Sequence, residues 1–198
     1  MKSNQQIEKL LQAAGMYRGD WARHATVAKR ESTEKSESGY LWTLSSEKPV
    51  VVFDWDRWDF VEEVLLMDGM MVPPVGQVPL LDSHNRNSVD DVLGHVRDFT
   101  EAIAGQYPAR DGKVFFAADD KSQRTEQKVI DRHLLDGSVG YHVDKAVWIE
   151  EGTEVAVNGR IFQGPLKVSY LWSLKEFSVT PVGADVLAKV RTLCGVGR

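Results

Sequence analysis

Cysteine is nearly absent. The single Cys194 in 198 residues leaves no internal disulfide framework and no cysteine-only zinc site. It fits a reducing compartment. Long apolar runs are missing too, since none approaches the roughly 18 residues of a membrane span. Residues 1–15 (MKSNQQIEKLLQAAG) carry no basic patch followed by an apolar stretch, so no secretory signal is expected. Basic excess is lacking: 24 Lys and Arg stand against 29 Asp and Glu, a formal net charge of −5. That balance is the wrong sign for a protein that binds nucleic acid by neutralising phosphates. There is no glycine-rich phosphate loop. His84, His95, His133 and His142 form neither a His-Glu-x-x-His pair nor any close ligand spacing, so no cofactor and no metal is expected. What remains is an ordinary globular composition, 42% hydrophobic and 27% charged. The chain is long enough to bury a core. The expectation is a soluble, intracellular protein.

The texture changes along the chain. Ile7, Leu10, Leu11 and Ala14 recur at helical spacing and predict a short amphipathic helix over 4–14. Residues 29–39 (KRESTEKSESG) are charged and Ser-rich without apolar periodicity, and read as a polar linker. Residues 1–48 are therefore expected to be an N-terminal helix and tail, and 49–198 the folded domain. Strands are predicted at 50–53, 61–66, 78–84, 92–99, 113–117, 138–143, 146–149, 154–157, 160–162 and 167–179. Helices are predicted at 122–135, stopped by Gly137, and at 184–193. The Asn158-Gly159 pair is a strong hairpin signal. Many short strands with few helices predict a β-rich α+β domain, a barrel or sandwich with peripheral helices.

Three stretches carry polar groups that folding alone does not require. In residues 78–86 (VPLLDSHNR), alternation puts Val78, Leu80, Asp82 and His84 on one face, which ends in an acid and a histidine. In residues 136–143 (DGSVGYHV), Ser138, Gly140 and His142 share a face, and a glycine inside a strand marks close approach by another group. In residues 167–185, an apolar face of Val168, Tyr170, Trp172 and Leu174 ends in Glu176 and Ser178. A carboxylate there is costly unless it is paired, and a histidine N–H would serve as partner.

In this order, LLDSHNR followed by VLGHVRDF, then DGSVGYHV after a helix, then LKEFSVTPVGAD, the stretches resemble the caudovirus prohead protease family of phage head-maturation serine proteases. The resemblance covers roughly residues 54–190. It implies a fold similar to herpesvirus assemblins, a β-barrel surrounded by a few helices, with nucleophile and base on neighbouring strands. It implies an activity as well: a serine endopeptidase that cuts scaffold and capsid-precursor proteins, and often its own chain, inside the immature capsid in the host cytoplasm. His84, Ser138 and Glu176 match the family's histidine, serine and acid. The sequence departs from the pattern at Asn85, where many members have Asp, at Phe177, where a smaller aliphatic is common, and at 182–185, where Pro-Ala-Asn is frequent.

A serine hydroxyl needs a base to take its proton as it attacks, and histidine titrates in the right range. Ser138 is the expected nucleophile, His84 the general base, and Glu176 the group that orients the imidazole. Assemblin-like enzymes use a second histidine in that last role, so His142, His95 and His133 stay open, as does Asp82. The alternative function is a catalytically silent scaffold protein of the same family. The oligomeric state is left open, with an assemblin-like fold favouring a homodimer. The other alternative is an unrelated β-rich binding module.

Overall fold

The computed structural model describes the backbone of residues 23–25 and residues 39–183, 185–187 and 189–191. The helix expected over 4–14, the linker up to residue 38 and Cys194 lie outside the described residues.

The strands are β1 (Arg23–Ala25), β2 (Tyr40–Ser46), β3 (Val50–Asp54), β4 (Asp59–Leu65), β5 (Met70–Met71), β6 (Gln77–Asp82), β7 (Val92–Ala104), β8 (Tyr107–Phe116), β9 (Asp136–Ile149), β10 (Glu154–Val157), β11 (Arg160–Gln163) and β12 (Leu166–Thr180). One α-helix, α1 (Asp120–Ile130), lies among them. Ten strands form one mixed sheet with the path β1-β9-β12-β6-β7-β8-β2, while β4 and β5 also pair with β12 and β3 pairs with β4. Strands β10 and β11 form a separate hairpin around Asn158 and Gly159, both at positive φ as a tight hairpin turn requires.

The chain is therefore β-rich, but the expected barrel and its ring of helices are corrected. Among the described residues the sheet is open, ending at β1 and β2, and there is one α-helix beside two short 3-10 turns. The two ends of the path still approach each other, because β2 lies against β1 and β9. Residues 189 and 190 stitch this seam: Lys189 bridges Asp136 of β9, and Val190 bridges Trp42 of β2. A helix was expected there. Instead the Lys189 carbonyl accepts from Thr43 N–H and Arg191 N–H donates to the Leu41 carbonyl, which leaves the backbone extended. Pairing with a waiting strand edge overrides the local 3.6-residue period of Val186, Leu187 and Val190.

Residues 40–46, on the tail side of the expected boundary at 48, form β2 at one end of the sheet path, and Tyr40, Trp42 and Leu44 are buried in the main core. They pack there with Leu80, Leu93, Val139, Trp172, Leu174 and Phe177. Trp42 meets Phe177 edge to face at 5.5 Å. The helix predicted over 122–135 stops earlier than its apolar pattern. Asp119 caps the start of α1 by accepting from the N–H groups of Lys121 and Ser122. Arg132, at φ 65°, ends the helix in the left-handed cap that glycine usually fills, with the His133 N–H returning to the Lys128 carbonyl. Gly137 is left free to enter β9.

Two buried carboxylates fasten the periphery. Asp185 is 2% exposed, and its Oδ2 accepts from both the N–H and the hydroxyl of Ser46 in β2. Asp54 accepts from Lys167 Nζ at 2.7 Å and from the N–H groups of Asp56 and Arg57. Burial works against the charge of Asp54, but those donors outweigh it and hold its pKa below the ordinary 3.8.

Replacing Asp185 with Ala strands two buried donors and is expected to cost about 3 kcal/mol. Urea unfolding measures this, and a loss within error of zero would contradict the anchoring of Ser46 by Asp185. For Asp54 the folded pKa is depressed. Its stabilisation is present above the unfolded value and is lost as pH falls through the folded one. Asp54→Asn should therefore lower the melting temperature at neutral pH yet lose less than the wild type as pH falls through and below the ordinary carboxylate range. Parallel acid curves would refute this.

Candidate active site

Three strands lie side by side in the order β9, β12, β6, with β12 antiparallel to β9 and parallel to β6. The register sets Ser178 of β12 opposite both Ser138 of β9 and Leu81 of β6, and Glu176 opposite Gly140. Directly opposed residues point to the same side of a sheet. Ser138, Gly140, Glu176 and Ser178 thus share one face, while Val139, Phe177 and Val179 share the core face.

The expectation that Glu176 continues the apolar face of Trp172 and Leu174 is corrected. A register shift between Leu174 and Glu176 places an extra residue, Lys175, in β12. Such a β-bulge swaps the faces of the strand. Before it, Trp172 and Leu174 point into the core; after it, Phe177 and Val179 do. Glu176 and Ser178 are turned to the other side, beside Ser138.

His84 reaches the same place by a turn. Strand β6 stops at Asp82, and Ser83 and His84 follow at φ 50° and 61°. Two consecutive non-glycine residues in the left-handed region carry strain of the kind found at functional sites. The turn is held because Ser83 N–H donates to the Val179 carbonyl and His84 N–H donates to Ser178 Oγ at 3.0 Å. The alternation of Val78, Leu80 and Asp82 therefore does not extend to His84. Nucleophile and base candidates do not stand on neighbouring strands either, since β12, with the acid, lies between β9 and β6.

The result is a compact polar web. His84 Nδ1 lies 2.6 Å from Glu176 Oε1. Arg86 donates to the same oxygen at 3.1 Å, and the Ser178 hydroxyl donates to Oε2 at 2.9 Å. Glu176 is 2% exposed, so these donors replace the water the carboxylate has lost. His84 is gripped twice, through its ring by Glu176 and through its backbone by Ser178. Its Nε2 is buried, as is Ser138. Gly140 opens the space this web fills: a Cβ there would lie 2.1 Å from Glu176 Oε1 and 2.5 Å from the Arg86 guanidinium. The close approach that the glycine signalled is that of a side-chain carboxylate.

The other candidates for the third position sit elsewhere. Asp82 is held by Lys121 at 3.0 Å and by the Ser83 hydroxyl. His95 stacks on Phe115 at 5.0 Å, and burial together with the nearby Arg97 lowers its pKa. His133 follows α1 and His142 is at the Ser173 register, both exposed. Sequence reasoning missed Arg86 and Ser178 as members of the web. Arg86 is in the quoted LLDSHNR stretch, and Ser178 shares alternation with Glu176, but neither residue type announces the role. Beside the web opens a groove of about 430 Å³, with Pro79, Leu81, Val89 and Val92 on its apolar side and Arg86 and Lys175 at its cationic side. No family model matches the chain, and no solved structure matches it.

Gly140→Ala should drive the Glu176 carboxylate off His84, because three donors pin it against the position of the new methyl. The folded state should survive with a loss of about 1–3 kcal/mol. The downfield Nδ1–H proton resonance of His84, expected in the wild type, should disappear. An unchanged resonance would overturn this account of the glycine.

Proposed function

We propose that the protein is a serine endopeptidase in which Ser138 attacks the peptide carbonyl, His84 moves the proton and Glu176 orients His84. The observation that carries this reading is the 2.6 Å contact between His84 Nδ1 and Glu176 Oε1 on the sheet face that also bears Ser138. An acceptor at Nδ1 selects the tautomer whose Nε2 takes a proton. Ser138 Oγ gives up its proton to Nε2 as it bonds to the scissile carbon. The resulting imidazolium is stabilised by Glu176, and it then protonates the leaving amine. Water repeats the sequence to release the acyl group. Arg86 and Ser178 are positioning residues, since both act through the Glu176 carboxylate. The groove beside Glu176 offers substrate side chains an apolar wall with a cationic rim.

The resemblance of the His84, Ser138 and Glu176 stretches to the prohead proteases extends the proposal to biology. On that reading the substrates are capsid-precursor and scaffold proteins, the place of action is the immature capsid in the host cytoplasm, and the fold is a relative of the assemblins. The open mixed sheet, whose terminal strands β1 and β2 lie against each other, is compatible with that relation.

The test is labelling with a serine-directed peptidyl phosphonate, followed by co-expression with candidate capsid precursors. Ser138→Ala should abolish labelling and precursor cleavage. His84→Ala should reduce both to background, and Glu176→Gln should lower the labelling rate by about 10²–10⁴-fold with the fold intact. Precursor fragments that appear equally with wild type and Ser138→Ala would sink the assignment and favour a silent scaffold protein.

A further inference from the structure

An extended peptide bound for cleavage needs a strand edge to satisfy its own N–H and C=O groups. Strand β9 has two edges. One is fully taken by β12, whose ladder runs from Leu166 opposite Ile149 to Thr180 opposite Asp136. The other, at Gly137, Ser138 and Val139, is taken by the chain itself. Strand β1 pairs there antiparallel, with Arg23 opposite Val139, His24 opposite Ser138 and Ala25 opposite Gly137.

The centre of this short ladder is the candidate nucleophile, and its register covers one residue to either side. With only three residues, β1 is among the shortest strands in the sheet. It also lies against β2, so it stands where the two ends of the sheet path approach each other. A substrate main chain would have to take the place of β1 on the β9 edge to lay a peptide bond over Ser138. The same backbone groups of β9 cannot serve both.

We propose that Arg23–Ala25 is an internal strap on the substrate-binding edge of the site, holding the place of an extended peptide across Gly137–Val139 and keeping the enzyme in a low-activity form. This rests on the serine peptidase reading. It adds where substrate main chain binds, in which direction it runs, and what part of the chain competes for that place. Because the strap is tethered, it competes at a high effective concentration although its ladder is short. A substrate that also fills side-chain sites can displace it.

In an antiparallel pair, alternate residues point their N–H at the partner. Replacing two adjacent residues with proline therefore removes a ladder donor whichever residue provides it. The full-length double variant Arg23→Pro/His24→Pro should be labelled by the peptidyl phosphonate about tenfold faster than wild type, the gain expected when a site open in roughly one molecule in ten opens fully. A synthetic peptide of residues 20–28 should slow the variant again, and a scrambled peptide should not. Equal labelling rates in variant and wild type would overturn the strap while leaving the peptidase reading standing. No labelling of either would overturn the peptidase reading and the strap with it.

A second measurement needs no substitution. Amide hydrogen exchange of the wild-type chain should show residues 23–25 losing protection once the peptidyl phosphonate is bound, while 137–139 keep theirs. Residues 23–25 remaining equally protected in the labelled protein would refute the displacement.

Discussion

A carboxylate turned into a folded interior has to find donors for the water it gives up, and the candidate site is arranged around that requirement at Glu176. Its two oxygens take His84, Arg86 and Ser178. Each of those contacts constrains another part of the chain. The bond to His84 holds the strained turn after β6. The bond from Ser178 ties the carboxylate to a hydroxyl that itself accepts from the His84 backbone. The volume of the group leaves no room for a side chain at position 140 on the strand alongside unless the carboxylate moves.

The bulge at Lys175 makes this possible. A strand in strict alternation would have sent Glu176 into the same core as Trp172 and Leu174. The extra residue reverses the faces, so β12 serves the core with Trp172, Leu174, Phe177 and Val179 and the polar site with Glu176 and Ser178. The two environments are separated by the thickness of one strand. The tightly packed core then makes a rigid platform for the polar web, because β12 is paired on both sides by β9 and β6.

Much of the fold was legible from pattern. The apolar runs at 50–53, 61–66 and 167–179 became strands because continuous or alternating Val, Ile, Leu and Phe fit a pleated, buried surface. The Asn158-Gly159 turn was legible because its positive φ values suit few other residues. His84, Ser138 and Glu176 stood out one by one as polar groups on otherwise apolar or small-residue strands. Strand β2 was missed, although Tyr40, Trp42 and Leu44 alternate cleanly, because it directly follows a charged, Ser-rich stretch that masks the change. The C-terminal segment was misread because Val186, Leu187 and Val190 have a helical period, and nothing local reports that a strand edge is waiting at Leu41 and Thr43.

Local chemistry thus decided which segments extend, where they turn and which side chains are too polar to be explained by packing. Such information resides in neighbours along the chain, within reach of one turn or one strand. The tertiary structure alone decided that these side chains meet. The bulge register, the seam closed by Lys189 and Val190, the arrival of Arg86 at Glu176 and the pairing of Arg23–Ala25 across Ser138 all join residues far apart in sequence. Each depends on backbone hydrogen bonds or ion pairs between distant strands, and residue-by-residue preference carries no term for them.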